Sequence, residues 1–177
     1  MRLFIAINFS ADVKRSVYRN VEILRKNAVS GTFTREENIH LTLAFLGETP
    51  PKRVPDIRGV MDAVSLYPFD TRLSGIGKFR NRGETLFWQG FKPADALSDL
   101  QRQLVSGLEK AQIEFDAKPF KPHVTLARRC VMDDDFSEDD LIKSISDVPL
   151  LISDISLMRS ERIGGRLQYI EMYKKDL

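Results

Sequence analysis

The sequence predicts an α+β fold of two similar lobes, with antiparallel sheets lining a central cleft and helices on the outside. Three observations carry that expectation. Strand-like and helix-like hydrophobic spacings alternate along all 177 residues, with no low-complexity stretch or linker between them. The only two histidines open the same frame, His40-Leu41-Thr42-Leu43-Ala44 and His123-Val124-Thr125-Leu126-Ala127, nearly half the chain apart. Near the end, Gly164-Gly165 separates two apolar runs as a hairpin turn does. Two equivalent strands half a chain apart suggest a pseudo-twofold axis. Outside the repeated frame the halves share little sequence, so the duplication is one of structure.

Composition sets the class. A hydrophobic content of 42% and a charged content of 29% are those of a globular chain with a substantial core, so residues 1–177 are expected to form one domain of two lobes. The net charge of +2 leaves no strong polyanion footprint over the whole chain, so any preference for phosphate must come from local placement of Lys and Arg. Cys130 is the single cysteine, which excludes an internal disulfide and a cysteine-rich zinc site, and it suits a reducing cytoplasm. Met1 to Ser10 reads as a first strand rather than a leader, and no stretch approaches membrane-spanning length.

Leu3 to Phe9 is an apolar strand, and Ser10 caps a helix over Ala11 to Lys26 with Val13, Val17, Val21 and Leu24 at helical spacing. Phe33 to Glu37 is short and polar. Asn38 to Leu46 is the first motif strand, ended by Gly47. Pro50-Pro51 leads into a helix carrying Val54, Ile57, Val60, Met61 and Val64. Pro68 to Phe79 and Thr85 to Phe91 form a strand pair around a basic turn, Lys78 to Gly83. Ala94 to Glu114, with Leu97, Leu100, Leu104, Leu108 and Ala111, is the clearest amphipathic helix. The stiff loop Lys118 to Pro122 leads into the second motif strand, His123 to Val131. The acidic run Asp133 to Asp140 is a solvated loop and helix start, and Leu141 to Ile145 is a short helix. Leu150 to Met158 and Leu167 to Tyr173 form the closing antiparallel pair.

In a strand, residues i and i+2 share a face. His40 and Thr42 therefore point one way, opposite Leu41, Leu43 and Phe45, while His123 and Thr125 point together, opposite Val124 and Leu126. Each apolar set anchors its strand in the core and leaves a His–Thr pair free to face the cleft. Two imidazoles facing one cleft can serve as general acid and general base, because the ordinary imidazole pKa, about 6.5, makes both forms accessible near neutrality. The threonine hydroxyls are suited to donate to an oxyanion. A zinc site would need third and fourth ligands, and with no third histidine and one cysteine only carboxylates could supply them. No metal or cofactor is expected. Phe4 could stack on a nucleobase or belong to the core. Lys78, Arg80 and Arg82 could guide a polyanion or simply be solvated, Trp88 reads as core, and Gly75-Ile76-Gly77 lacks the third glycine of a dinucleotide loop.

Several stretches together resemble one family. Arg2-Leu3-Phe4-Ile5-Ala6-Ile7 resembles its first strand, and Asn38-Ile39-His40-Leu41-Thr42-Leu43-Ala44-Phe45-Leu46-Gly47-Glu48 its first motif. Leu86-Phe87-Trp88-Gln89-Gly90 resembles its central strand. Lys118-Pro119-Phe120-Lys121-Pro122-His123-Val124-Thr125-Leu126-Ala127-Arg128 resembles its second motif, and Ser160, Gly165 and Tyr169 its last hairpin. The family is the 2H phosphoesterase superfamily, and within it the RNA 2′,3′-cyclic phosphodiesterases once called 2′-5′ RNA ligases. Phe9-Ser10, where many members have Leu-Pro, and Arg129-Cys130 depart from it.

The resemblance implies a 2H phosphoesterase fold and metal-independent opening of RNA 2′,3′-cyclic phosphate ends to 2′-phosphomonoesters, with 2′-5′ ligation as a minor activity. It implies His40 as proton donor to the leaving 3′ oxygen and His123 as proton acceptor from water. The motifs themselves are near-equivalent and do not assign acid and base. Thr42 and Thr125 would bind the phosphate. Strand alternation puts Arg129 on the His123 face, whereas the resemblance favours Arg128, and a bulge would reconcile the two. The expected partner is RNA with a cyclic phosphate end, such as a tRNA fragment, met by a monomer away from membranes. A small-nucleotide cyclic phosphodiesterase, acting for example on ADP-ribose 1″,2″-cyclic phosphate, and a non-catalytic binder of RNA ends are the other readings.

Overall fold

The computed structural model describes residues 1–81 and 84–177. Among them the chain forms β1 (Arg2–Asn8), α1 (Ala11–Lys26), β2 (Ala28–Phe33), β3 (His40–Glu48), α2 (Val54–Asp62), β4 (Phe69–Asn81), β5 (Glu84–Lys92), α3 (Asp95–Lys110), β6 (His123–Met132), α4 (Glu138–Ser144), β7 (Val148–Ile152), β8 (Asp154–Ile163) and β9 (Arg166–Asp176). Short 3-10 turns at Glu36–Asn38 and Pro51–Arg53 precede β3 and α2.

The strands make two antiparallel sheets, in the orders β3-β1-β8-β9 and β2-β6-β5-β4-β7. Each histidine strand lies beside the strand that precedes it through a long helix: β3 beside β1 after α1, and β6 beside β5 after α3. The helices cross over. α1 packs against β2, β6 and β7 of the second sheet, while α3 packs against β3 of the first. The two halves therefore share one core, in which Leu3, Ile5 and Ile7 of β1 join Val17, Val21 and Leu24 of α1, Leu97, Leu100, Leu104 and Leu108 of α3, and Val124 and Leu126 of β6.

Local chemistry explains the ends. The Ser10 hydroxyl accepts from the Val13 N–H at 3.4 Å and caps α1. α3 stops at Lys110 rather than running to Glu114: Gln112 adopts φ +53°, and the Ile113 N–H donates back to the Leu108 carbonyl at 2.9 Å, a Schellman closure. The β8–β9 turn falls at Gly164-Gly165, with φ of +57° and +77°, as a two-residue hairpin loop demands.

The structure corrects several expectations. β2 lacks the alternation of a half-buried strand because it is a mostly exposed edge strand beside β6. Leu150 to Met158 is not one strand. The chain changes sheets at Ser153, β7 pairing with β4 and β8 with β1 and β9. Lys78 to Asn81 belongs to β4 rather than to a turn, and the Lys78 ammonium pairs with Glu138 at the start of α4. Arg80 is exposed. Arg82 lies outside the described residues.

Candidate active site

The two motifs fold identically. Along both His40–Ala44 and His123–Ala127 the His and Thr are half-buried, and the other three residues are buried. Asn8 pairs with His40 and Ala6 with Thr42, but Ile5 pairs with Ala44, so Leu43 is the extra residue of a bulge. In β6, Gly90 pairs with His123 and Trp88 with Thr125, but Phe87 pairs with Ala127, which makes Leu126 the extra residue. The bulge resets the alternation. The fifth residue after each histidine therefore returns to the histidine face. In β6 that residue is Arg128, whose Nη2 lies 3.4 Å from the Thr125 hydroxyl. Arg129, in left-handed backbone at φ +53°, extends instead toward Thr32, 3.5 Å away. In β3 it is Phe45. Contrary to strict alternation, Phe45 packs with Phe4, Ala6 and Met158 on the His40 side, with the Arg2 guanidinium 5.1 Å from its ring centre. The signal for both bulges was the adjacent apolar pair Leu-Ala in each frame.

Each imidazole is tied to its own chain in the same way. His40 Nδ1 lies 2.7 Å from the Asn38 carbonyl oxygen and His123 Nδ1 2.6 Å from that of Lys121. A carbonyl only accepts, so in both rings Nδ1 carries the proton and donates it, and Nε2 is left for chemistry. His40 Nε2 lies 3.0 Å from the Thr42 hydroxyl. The carbonyls at i−2 were not legible in the sequence.

Aromatic rings wall both histidines. Phe4, 3% exposed, lies 5.1 Å from the His40 ring, and Tyr169 of β9 lies 5.0 Å from it. Around His123, Phe79 stands at 5.4 Å and Trp88 at 6.0 Å, and the Lys121 ammonium lies 4.2 Å from the Trp88 ring centre. Trp88 is buried as a core residue is, yet it also stands beside His123 and outside the main core cluster. It shares the Thr125 face, and its buried Nε1 has no acceptor among the described residues. Its fit depends on Gly77 of β4, where an added Cβ would lie 2.1 Å from the indole.

β3 and β6 run against each other where the sheets meet, so the two sets of groups act on one another. Burial pushes the His40 imidazole down to about 4. The Asn38 carbonyl opposes this, while the charges of Lys14, Arg128 and His123 reinforce it. Burial also lowers His123, with Arg128 and Lys121 pushing the same way against the Lys121 carbonyl. Lys14 of α1, half-buried, donates to the Glu37 carbonyl at 3.0 Å and so braces the turn before His40. Cys130 takes no part: burial raises its thiol to about 11 and keeps it protonated.

A family model described as the 2′-5′ RNA ligase superfamily matches residues 14–164. The chain belongs to that superfamily. It is 34% identical to the RNA 2′,3′-cyclic phosphodiesterase of Thermotoga maritima, over 72% of this chain and 70% of that one. It is 35% identical to the enzyme of the same name from Archaeoglobus fulgidus, over 72% of each. A third relative of that name, from Geobacillus stearothermophilus, is 34% identical, but the match spans only 41% of its length. Among solved structures, the TT0787 protein of Thermus thermophilus superposes with a TM-score of 0.80 at 29% identity, over 100% of this chain and 98% of that one. Escherichia coli LigT, crystallised with 3′-AMP, shares the fold at a TM-score of 0.80 and 24% identity, over 99% of this chain and 97% of that one. Among the described residues no helix is long and apolar enough to cross a membrane.

Proposed function

We propose that this protein hydrolyses RNA 2′,3′-cyclic phosphate ends to 2′-phosphomonoesters by metal-independent acid–base catalysis, with 2′-5′ ligation as a minor activity. One observation carries the reading. Two imidazoles on abutting strands each commit Nδ1 to a carbonyl and keep only Nε2 for chemistry, and the Arg128 charge acts on both. The names of the relatives support the substrate class. Residues 1–177 are taken to work as a single domain and as a monomer.

In this scheme neutral His123 accepts a proton from water through Nε2 as the water oxygen bonds to phosphorus. The bond from phosphorus to O3′ breaks, and O3′ takes the proton on His40 Nε2. The phosphate remains on O2′. Thr42, Thr125 and Arg128 bind the non-bridging oxygens, where charge concentrates in the transition state. His40 must be protonated to act as the acid, yet burial in the free site holds it near 4. A phosphodiester anion against Nε2 supplies the opposing charge and raises it. Phe4 is buried beside the His40 ring, a place better suited to backing the imidazole than to stacking on a base.

End-group analysis of a short RNA 2′,3′-cyclic phosphate after incubation with the protein tests the reading. The expected product carries a 2′-phosphate. A 3′-phosphate product would keep the chemistry and reverse the placement of His40 at O3′. Stoichiometric binding without turnover would reject the enzyme.

A further inference from the structure

His40 is held by groups far from its own strand in sequence. Its ring meets Tyr169 at 5.0 Å with the planes 84° apart, the edge-to-face arrangement that aromatic pairs prefer. Tyr169 also meets Phe4 edge-on at 5.0 Å, and Phe4 meets His40 at 5.1 Å, so the three rings close on one another. Behind the imidazole, the Asn38 carbonyl accepts from Nδ1, and the Asn38 side-chain amide donates to the Leu167 carbonyl at 3.2 Å. Leu167 and Tyr169 are both residues of β9. One strand thus touches the imidazole and also the residue that sets its tautomer. The aromatic contacts of His123 come from β4 and β5 of its sheet, as those of His40 come from β1 and β9 of its own; among the described residues, no side-chain hydrogen bond ties Lys121, whose carbonyl accepts from His123, to β4 or β5.

We propose that Tyr169 is the positioning residue for His40, with β9 acting as a clamp that keeps Nε2 aimed at the phosphate. The ring contacts carry the effect rather than the hydroxyl. Tyr169 blocks rotation of the imidazole on its open side, and the Asn38–Leu167 contact holds the carbonyl in line with Nδ1. The clamp also keeps water from the ring, in keeping with burial as the main force on its protonation. The charged groups acting on His40 are Lys14 from α1 and Arg128 and His123 from β6, and Tyr169→Ala removes none of them. The proposal rests on the reading of His40 as a catalytic histidine.

The chain has two histidines, so its imidazole NMR spectrum has two sets of signals, assigned with His123→Asn. In Tyr169→Ala the His40 midpoint should rise from about 4 toward 6.5, while that of His123 stays where it is. On the cyclic-phosphate RNA, kcat should fall about 10- to 100-fold with KM changed less than about threefold, the mark of lost aim rather than lost binding. Tyr169→Phe should restore the wild-type midpoint and kcat. Asn38→Ala, which leaves β9 whole, should lower kcat in the same direction and serves if Tyr169→Ala does not fold. An unmoved His40 midpoint in Tyr169→Ala, or a Phe variant as defective as the Ala variant, overturns the proposal. A shifted midpoint in a protein whose wild type turns over no cyclic phosphate would instead reject the catalytic reading and leave the clamp standing.

Discussion

A histidine whose Nδ1–H is committed to a backbone carbonyl can lose or gain a catalytic proton only at Nε2, and both histidines here are built that way. If they divide acid and base work, His40→Ala and His123→Ala should each lower turnover by roughly 10²- to 10⁴-fold, the usual worth of a positioned acid or base. Circular dichroism must show both variants folded; near-wild-type turnover in either one removes that histidine from the mechanism. The depressed His40 value also has a consequence for stability. A group that binds its proton more tightly in the unfolded chain, near 6.5, than in the folded one, near 4, adds stability that is fully present above pH 6.5. That contribution is lost as pH falls from 6.5 toward 4, by an amount on the order of 3 kcal/mol. Urea unfolding at a series of pH values should show this slope in the wild type and lose most of it in His40→Gln. Identical slopes in the two proteins would mean that His40 is not held neutral by the fold.

Strand alternation, taken literally, misplaces Phe45 and Arg128, because a bulge in each motif inserts one residue after the threonine. The same irregularity in β3 and β6 is the strongest structural trace of the pseudo-twofold relation. β5, the strand paired with that of His123, is fixed from behind by a buried polar network. Asn20 of α1 donates to the Gln89 side chain of β5 and to the Ser146 carbonyl, both at 3.0 Å, and accepts from the Ser146 N–H at 3.2 Å. Asn20 is 1% exposed and Gln89 fully buried, so neither can turn to water for a replacement. Asn20→Leu leaves the Ser146 N–H and one Gln89 acceptor unpaired and should cost about 2 to 3 kcal/mol. The double variant Asn20→Leu/Gln89→Leu should cost less than the two single changes added together, because it removes both sides of one bond. Strict additivity in denaturant melts would mean that the two amides do not depend on each other.

The crossed helices make the site a property of the whole chain. α1 leaves the sheet of His40 to support the sheet of His123, α3 does the reverse, and β9 returns the C-terminal segment to His40. The two imidazoles act on one another and, in the proposed scheme, share one substrate, so their pH dependence belongs to the pair. kcat/KM should follow a bell, with His123 neutral and His40 protonated in the active form. Both free-site values lie below 6.5, so this bell should sit on the acid side of that value. The kcat bell should lie at higher pH, since a bound phosphate anion raises both imidazoles. A kcat/KM that climbs steadily through neutral pH would contradict the pairing. Activity should survive EDTA, and loss of activity in chelator with rescue by one divalent metal would replace the two-imidazole scheme with metal catalysis.

Much of this architecture was legible in the sequence because it rests on local rules. The helices of Val17, Val21 and Leu24 and of Leu97 to Leu108 follow from apolar spacing, the start of α1 from Ser10, and the last hairpin from Gly164-Gly165. The paired His–Thr frames placed each histidine and its threonine on one half-buried face, since side chains two apart on a strand must share a face. What the sequence left open depends on partners distant along the chain. Which of Arg128 and Arg129 shares the His123 face depends on a bulge that exists only in the pairing of β6 with β5. Ser153 could not be read as a crossing between sheets, because β7 and β8 look continuous until each finds its neighbour. Tyr169 meets His40 only once β9 has folded back across β8, and Trp88 turned out to face His123 because its register set it opposite Thr125. Periodicity along one strand tells which residues share a face; which face meets the substrate, and what stands opposite it, is decided when strands remote in sequence pair.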